Sequence, residues 1–286
     1  MLDNLTVTIL AEDSVPYESP LLGQHGVSYW LEATRNGTTR NILVDVGQNP
    51  DALLFNIEKL GIPIGQTDAI VLTHCHYDHT QGLARILQAI GRKDLPVIAH
   101  PALFRLNFVT EPFFQHVGVM QGDKPEDLRT AGAELVLVSG PLQLMPGLST
   151  TGEVPRVTDF EEVGIALSTL DENGGVIPDS MPDDLSIAAR IKGKGVVIVT
   201  GCSHAGIVNI LKHAVSTGER LEAVIGGLHL VEASDERIEK TAQALAGYSP
   251  TLVAAGHCTG FRAQAALYAK LGKRFSTMGS GTVFSF

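Results

Sequence analysis

Cysteine is scarce in this chain: Cys75, Cys202 and Cys258 are the three in 286 residues, and an odd number cannot all pair with one another. A disulfide framework is therefore not what holds the fold together, and a reduced compartment suits the sequence better. Positive charge is also short, with 21 Lys and Arg against 31 Asp and Glu and a formal net charge of −10. A phosphate backbone demands a basic surface, so nucleic acid is not an expected partner, whereas a small anionic substrate held by metal ions remains compatible. No apolar run approaches membrane-spanning length, so no membrane partner is expected. The opening Met1-Leu2-Asp3-Asn4 lacks the basic start and long apolar stretch of a signal peptide, which makes the cytoplasm the expected location. Repeats of solenoid length and low-complexity tracts are missing too. A serine-hydrolase pattern is absent as well. Ser203 stands beside His204, but Gly201-Cys202-Ser203-His204-Ala205 is not a G-x-S-x-G nucleophile elbow.

What is present describes a globular protein with a large core, 44% hydrophobic and 18% charged. Alternating or short apolar runs predict strands over 5–10, 24–32, 40–46 and 69–72, with 95–101 returning to the sheet and Asn36-Gly37 as a hairpin turn. Helical spacing predicts 52–60, stopped by Gly61, and 80–87. A second set of strands is expected at 134–138 and 148–152, then a hairpin from 186–190 and 195–200. Residues 171–184, rich in Asp, Gly and Pro, read as an exposed connection. Residues 102–125 stand apart. They carry Phe104, Phe108, Phe113, Phe114, His116 and Met120, and read as a helical, aromatic insertion that forms a lid, a substrate wall, a contact in a homo-oligomer, or ordinary packing. His100, at a strand end before Pro101, is read as structural. Both halves run from strands to helices, which fits two similar layers packed face to face in one domain over 1–286.

The chemistry concentrates in Thr73-His74-Cys75-His76-Tyr77-Asp78-His79, between the apolar run 69–72 and an amphipathic helix. Alternate side chains of an extended segment face the same way, so His74, His76 and Asp78 converge while His79 turns aside as the helix begins. One loop can then feed two neighbouring divalent ions, His74 and His76 on one, Asp78 and His79 on the other. Imidazole and carboxylate suit zinc and tolerate iron or manganese. Asp45, ending the strand before Gly47, is placed to support a histidine ligand or simply to form a turn. Three more histidines follow apolar strands through Gly-rich turns: His204 in Gly201-Cys202-Ser203-His204, His229 in Gly226-Gly227-Leu228-His229, and His257 in Gly256-His257-Cys258. Glycine lets backbones approach closely, so these turns can bring their histidines to a shared point. The cysteines beside them are either thiolate ligands or small packing residues.

His74-Cys75-His76-Tyr77-Asp78-His79, together with the upstream Asp45-Val46-Gly47 turn, resembles the H-x-H-x-D-H signature of the metallo-β-lactamase superfamily. The resemblance implies an α/β architecture of the α+β type, a four-layer αββα sandwich around a dinuclear metal site. It extends along most of the chain, through Glu12, His25-Gly26 with Ser28, Gln48, Asn56, Thr151-Gly152-Glu153 with Pro155-Arg156, Asp183-Asp184 and the three His turns. These features are similar to a subgroup of metal-dependent hydrolases that includes an archaeal-type dihydropterin synthase. Two departures stand out. The superfamily usually places a histidine where Thr151-Gly152-Glu153 stands and a metal-bridging aspartate about where Cys202 stands. The resemblance then makes His204 the third ligand beside His74 and His76, and His257 the partner of Asp78 and His79. His229 is left as either a ligand or a substrate-facing acid.

Three functions follow as expectations. The first is hydrolysis of a small anionic ester, phosphodiester or lactone, by a metal-bound hydroxide that Asp78 positions, with His229 or His25 protonating the leaving group. The second is a dihydropterin-type transferase, in which the metals bind a departing diphosphate while Arg156, Glu153 and Phe113 hold the substrate. The third is a non-catalytic metal module or a redox di-iron protein. His76 counts against the di-iron version, since such relatives carry an acidic residue there.

Overall fold

The computed structural model describes residues 1–163 and 166–286. The chain opens with β1 (Asn4–Ala11), β2 (Ser28–Arg35) and β3 (Thr38–Val44), an antiparallel meander. Asn36 and Gly37 both have positive φ (50° and 75°), the twist that lets a two-residue turn join β2 to β3. Helix α1 (Pro50–Leu60) is defined at both ends. The Asn49 side chain accepts from the backbone of Asp51 and Ala52, and Gly61 closes it in the left-handed conformation.

β4 (Ala69–Val71) then enters the sheet parallel to β3, followed by α2 (Tyr77–Thr80), α3 (Leu83–Ile90) and β5 (Leu95–Ala99). β4 is buried at every position because helices and a second sheet cover its two faces, which is why it reads as an unbroken apolar run. The predicted helical insertion at 102–125 takes another form. One 3-10 turn (Pro101–Phe104) leads to β6 (Phe108–Val109) and β7 (Gln115–His116), a short antiparallel pair. Phe113 and Phe114 lie at its tip and are largely exposed, with the Phe114 ring 5.2 Å from that of Phe108. After α4 (Pro125–Thr130), β8 (Ala133–Leu137) pairs parallel with β5. It therefore belongs to the first sheet, and does not open the second as the order of strands suggested.

The second half runs β9 (Gln143–Met145), β10 (Leu148–Thr150), β11 (Ser168–Leu170), β12 (Val176–Pro178), β13 (Ser186–Ile191), β14 (Gly195–Thr200), α5 (Ile207–Ala214), β15 (Leu221–Gly227), α6 (Asp235–Tyr248), β16 (Leu252–Gly256), α7 (Gly260–Leu271), β17 (Phe275–Thr277) and β18 (Val283–Ser285). Among the described residues there are two seven-stranded sheets, ordered β18-β1-β2-β3-β4-β5-β8 and β17-β16-β15-β14-β13-β10-β9, with a small sheet β12-β11-β6-β7 beside them. Val7, Ile9, Leu31, Val44 and Val71 of the first sheet meet Ile187, Val197, Val199 and Ile225 of the second in one apolar core. Helices α1 and α3 cover the outer face of the first sheet, and α5, α6 and α7 that of the second. This is the αββα sandwich the resemblance implied. No helix among the described residues is long and apolar enough to cross a membrane.

The segment 171–184 is only half what its composition promised. The β11–β12 hairpin is exposed, but Asp179, Asp183 and Asp184 are buried. Each buried carboxylate has partners: Asp179 takes Arg105 Nε at 2.6 Å and Asn107 Nδ2 at 2.7 Å, Asp183 takes Cys75 N–H at 2.8 Å, and Asp184 takes Ala205 N–H at 2.8 Å.

Candidate metal centre

β14, β15 and β16 are parallel neighbours, so their C-terminal ends lie at one edge and present His204, His229 and His257 side by side. The loop after β4 faces them from the other sheet. His74, His76 and His204 form a triangle, with ring centroids 4.7 to 4.8 Å apart, and offer one ligand atom each within 4.8 Å of one another. Asp78, His79 and His257 form a second such group.

Each ring is oriented by its surroundings. Asp45 Oδ2 accepts from His79 Nδ1 at 2.7 Å and from the Thr73 hydroxyl at 2.7 Å, while Oδ1 accepts Thr73 N–H at 2.8 Å. Asp45 is fully buried and has φ 55°, so the turn reading and the supporting reading of this residue both describe it. His76 Nε2 faces Asn107 Oδ1 at 3.1 Å, leaving Nδ1 for the triangle. His257 Nδ1 lies 3.2 Å from Asp13 Oδ1, and its backbone N–H donates to Glu12 Oε1 at 2.6 Å. Glycine is required where Gly26 crosses the loop: its φ is 101°, and a Cβ there would lie 1.8 Å from the carbonyl oxygen of Asp78.

Electrostatics divide the centre into unlike halves. Burial, reinforced by neighbouring imidazoles, holds His74 and His204 well below the usual histidine range, and burial brings His76 to about 4. That half is neutral, the form that ligates. In the other half burial also lowers the histidines, but nearby negative groups outweigh it. Asp78 and Asp45 raise His79, while Cys258, Asp13 and Asp78 raise His257 well above its ordinary value. Burial pushes Asp78 up, yet His79 and His257 hold it well below the carboxylate range. His257 Nε2 sits 3.2 Å and His79 Nε2 3.5 Å from Asp78 Oδ2. The negative groups that raise these two histidines gather around the place where a cation would bring positive charge.

These residues suit a metal. His74 Nε2 and both ring nitrogens of His204 are buried and have no hydrogen-bond partner among the described residues. Leaving such atoms unpaired costs on the order of 1–3 kcal/mol each, which ligation removes. The donor set of five imidazoles and one carboxylate is that of zinc, iron or manganese.

A cavity of ≈ 400 Å³ opens over the second half and is lined by His25, His76, Tyr77, Asp78, Val109, Val117, Cys202 and His257, with Glu111, Gln115 and Glu232 among the others. Of the remaining residues singled out from the sequence, His25 joins this wall: its Nε2 is 3.4 Å from Asp78 Oδ2 and its Nδ1 is 3.3 Å from Asp13 Oδ1. The rest do not line it. Arg156 donates to the carbonyls of His204 (2.6 Å) and Ser180 (2.7 Å), so its guanidinium fastens a loop. Glu153 is exposed, 3.7 Å from His100 Nε2, and Phe113 is 64% exposed at the tip of the β6–β7 pair. His229 is buried against His204, ring centroids 4.1 Å apart, beside Cys202 and Cys258. His100 Nδ1 accepts Ala102 N–H, a structural cap. The sequence reading missed Asp13 and Asn107 as neighbours of the centre, whereas Cys258 is singled out there beside His257. Asp13 alone had a signal, as an acid one residue beyond Glu12 in a loop leading toward His25.

The fold and the paired His/Asp groups define a class, and the family model of the metallo-β-lactamase superfamily matches residues 22–200. The chain belongs to that superfamily, whose members generally bind divalent metals. It is 37% identical over 289 residues to the 7,8-dihydropterin-6-methyl-4-(β-D-ribofuranosyl)-aminobenzene-5′-phosphate synthase of Methanocaldococcus jannaschii, covering 99% of this chain and 97% of that protein. An uncharacterised protein of the same organism is 30% identical over 253 residues, covering 88% of this chain and 90% of its own length. Among solved structures, Tm1679, described as a metal-dependent hydrolase of the β-lactamase superfamily, superimposes with a TM-score of 0.80 at 24% identity, covering 98% of each chain.

Proposed function

We propose that this chain is a metal-dependent transferase of the dihydropterin-synthase kind, in which an organic acceptor displaces an anionic leaving group from a pterin methyl carbon. The observation that carries this reading is the 37% identity to the Methanocaldococcus jannaschii synthase over 99% of the chain, which spans both metal-facing halves and the cavity wall. The geometry supports it. When bound, divalent ions supply the Lewis acidity that holds a diphosphate and stabilises its departure. His74, His76 and His204 would hold one ion, and Asp78, His79 and His257 the other. No Lys or Arg is among the described residues lining the cavity, so metals held by these groups would supply the counter-charge for an anionic substrate. Tyr77, Val109 and Val117 offer a wall for a flat ring, and Gln115, Glu111 and Glu232 offer partners for ring N–H groups. His25, half-exposed and held between Asp13 and Asp78, is placed to pass a proton to the leaving group.

Hydrolysis of a small anionic ester is the second reading. It is favoured by the open cavity, through which water can reach the same centre in place of an organic acceptor. One assay separates the two. Purified, metal-loaded protein is given a dihydropterin-methyl diphosphate with and without the ribofuranosyl-aminobenzene phosphate acceptor, and products are followed by mass spectrometry. A coupled product with stoichiometric diphosphate release supports the transferase. Release that ignores the acceptor supports the hydrolase. Turnover of neither kind, by protein carrying its metals, rejects both for this substrate.

A further inference from the structure

The two His/Asp groups leave a neighbouring cluster unused. We propose that Cys202, His229 and Cys258 form a third, sulfur-rich cation position for a thiophilic divalent ion of the zinc class. It goes beyond the activity proposed above and stands whichever reaction the centre performs.

The three residues follow β14, β15 and β16, adjacent parallel strands, and so reach the same edge from three directions. Their ligand atoms lie within 4.8 Å of one another. Zinc–sulfur and zinc–nitrogen bonds are about 2.3 and 2.0–2.1 Å, so ligands on one tetrahedral ion stand about 3.5–3.8 Å apart, a short closing movement from that limit. His229 supplies the independent sign of a missing partner. It is 9% exposed, is held at φ 46°, and its Nδ1 is buried with no hydrogen-bond partner among the described residues. Cys258 Sγ accepts His229 N–H at 3.3 Å and lies 3.6 Å from the Cys202 carbonyl, which fixes the thiol between the other two. Cys202 Sγ is also 3.2 Å from His79 Nε2, making this sulfur the link between the third position and the His/Asp pair. Cys202 and Cys258 both line the cavity, which gives an ion a route in. Two thiols and an imidazole select soft cations, unlike the imidazole–carboxylate groups beside them.

Cobalt(II) tests this directly. Reduced, metal-free protein is titrated with cobalt while thiolate-to-cobalt charge transfer is read in the near ultraviolet, and bound metal is counted by atomic emission after gel filtration. The expected result is three equivalents, one of which brings in the charge-transfer band. Cys258→Ser and His229→Asn, the latter tolerant of a left-handed backbone, are each expected to hold one equivalent fewer, and Cys258→Ser to lose a large part of the band. Saturation at two equivalents without the band overturns the third position and leaves the dinuclear centre standing. A band and stoichiometry unchanged in Cys258→Ser overturn it too, since Cys202 alone would then be ligating within the pair. A Cys202–Cys258 disulfide that persists in the presence of zinc also overturns it, and a protein that retains no cobalt at all overturns both this position and the dinuclear centre.

Discussion

Asp45→Asn tests how this centre is built. Asparagine has the same shape and accepts φ 55°, so the backbone turn survives. The hydrogen-bond pattern does not. The carboxylate accepts three donors, from Thr73 N–H, the Thr73 hydroxyl and His79 Nδ1. An amide has one oxygen, and keeping Thr73 N–H on it turns the amide NH₂ toward His79 Nδ1. The imidazole then accepts at Nδ1 and carries its proton on Nε2, the atom 3.2 Å from Cys202 Sγ that faces Asp78 and His257. A protonated Nε2 cannot ligate. Losing a charge-assisted hydrogen bond in a fully buried site costs about 1.5–3 kcal/mol of folding stability. Loss of the supporting partner lowers metal affinity about 10–100-fold, or about 1.4–2.8 kcal/mol. The loss is expected at the Asp78/His79/His257 half, with a much smaller change at His74/His76/His204, which Asp45 reaches only through Thr73. Competition with a chromophoric chelator resolves the two affinities, and urea unfolding gives the stability change. An Asp45→Asn protein that binds both equivalents as tightly as the wild type refutes the reasoning.

Two further outcomes follow from the charge states. Burial lowers His74, His76 and His204 toward the neutral form, while at His79 and His257 nearby negative groups outweigh burial and favour the protonated form. The first cation bound is therefore expected to release few protons and the second more, so second-site affinity falls more steeply than first-site affinity as pH drops below neutral. Calorimetric titration in buffers of different ionisation enthalpy measures this, and equal release at both steps contradicts it. Asp184 is raised from 3.8 to about 7, by burial and by Asp183 acting against its bond from Ala205. A carboxyl that holds its proton more tightly when folded contributes stability that is complete below about 3.8 and lost as pH rises to about 7, up to about 4 kcal/mol for this shift. Asp184→Asn loses nothing over that window. The stability of the metal-free wild type relative to Asp184→Asn should therefore decline from pH 4 to 7 in urea unfolding, and a constant difference would show that Asp184 stays ionised.

Much of the fold was legible because its signals are local. Gly61 marks the end of α1, although its start at Asn49-Pro50 lies two residues before the expected 52, and Asn36-Gly37 sets a hairpin by its own dihedral preferences. The buried parallel strands 69–71 and 195–200 announce themselves by continuous apolar composition. The segment 102–125 misled because aromatic content says that a surface is apolar, not which period it follows. β8 misled because strand order along the chain does not say which sheet a strand joins.

The division is sharpest at the metal centre. The sequence by itself brought the candidate ligands His74, His76, Asp78 and His79 into one short loop, since an extended segment followed by a helical turn keeps neighbouring side chains within reach of one another. It also marked His204, His229 and His257 as strand-end residues, because a Gly-rich turn after an apolar run is a local pattern. Tertiary structure alone decided which of them meet. Asp13 reaches His257 across 244 positions and Asn107 reaches His76 across 31, contacts set by sheet pairing rather than by spacing. The same packing turns Arg156 onto the carbonyls of His204 and Ser180, and seats His229 between two thiols. A side chain's type states what it can bind. Only the packed fold, by fixing which polar atoms are buried and left without partners, states what each one does.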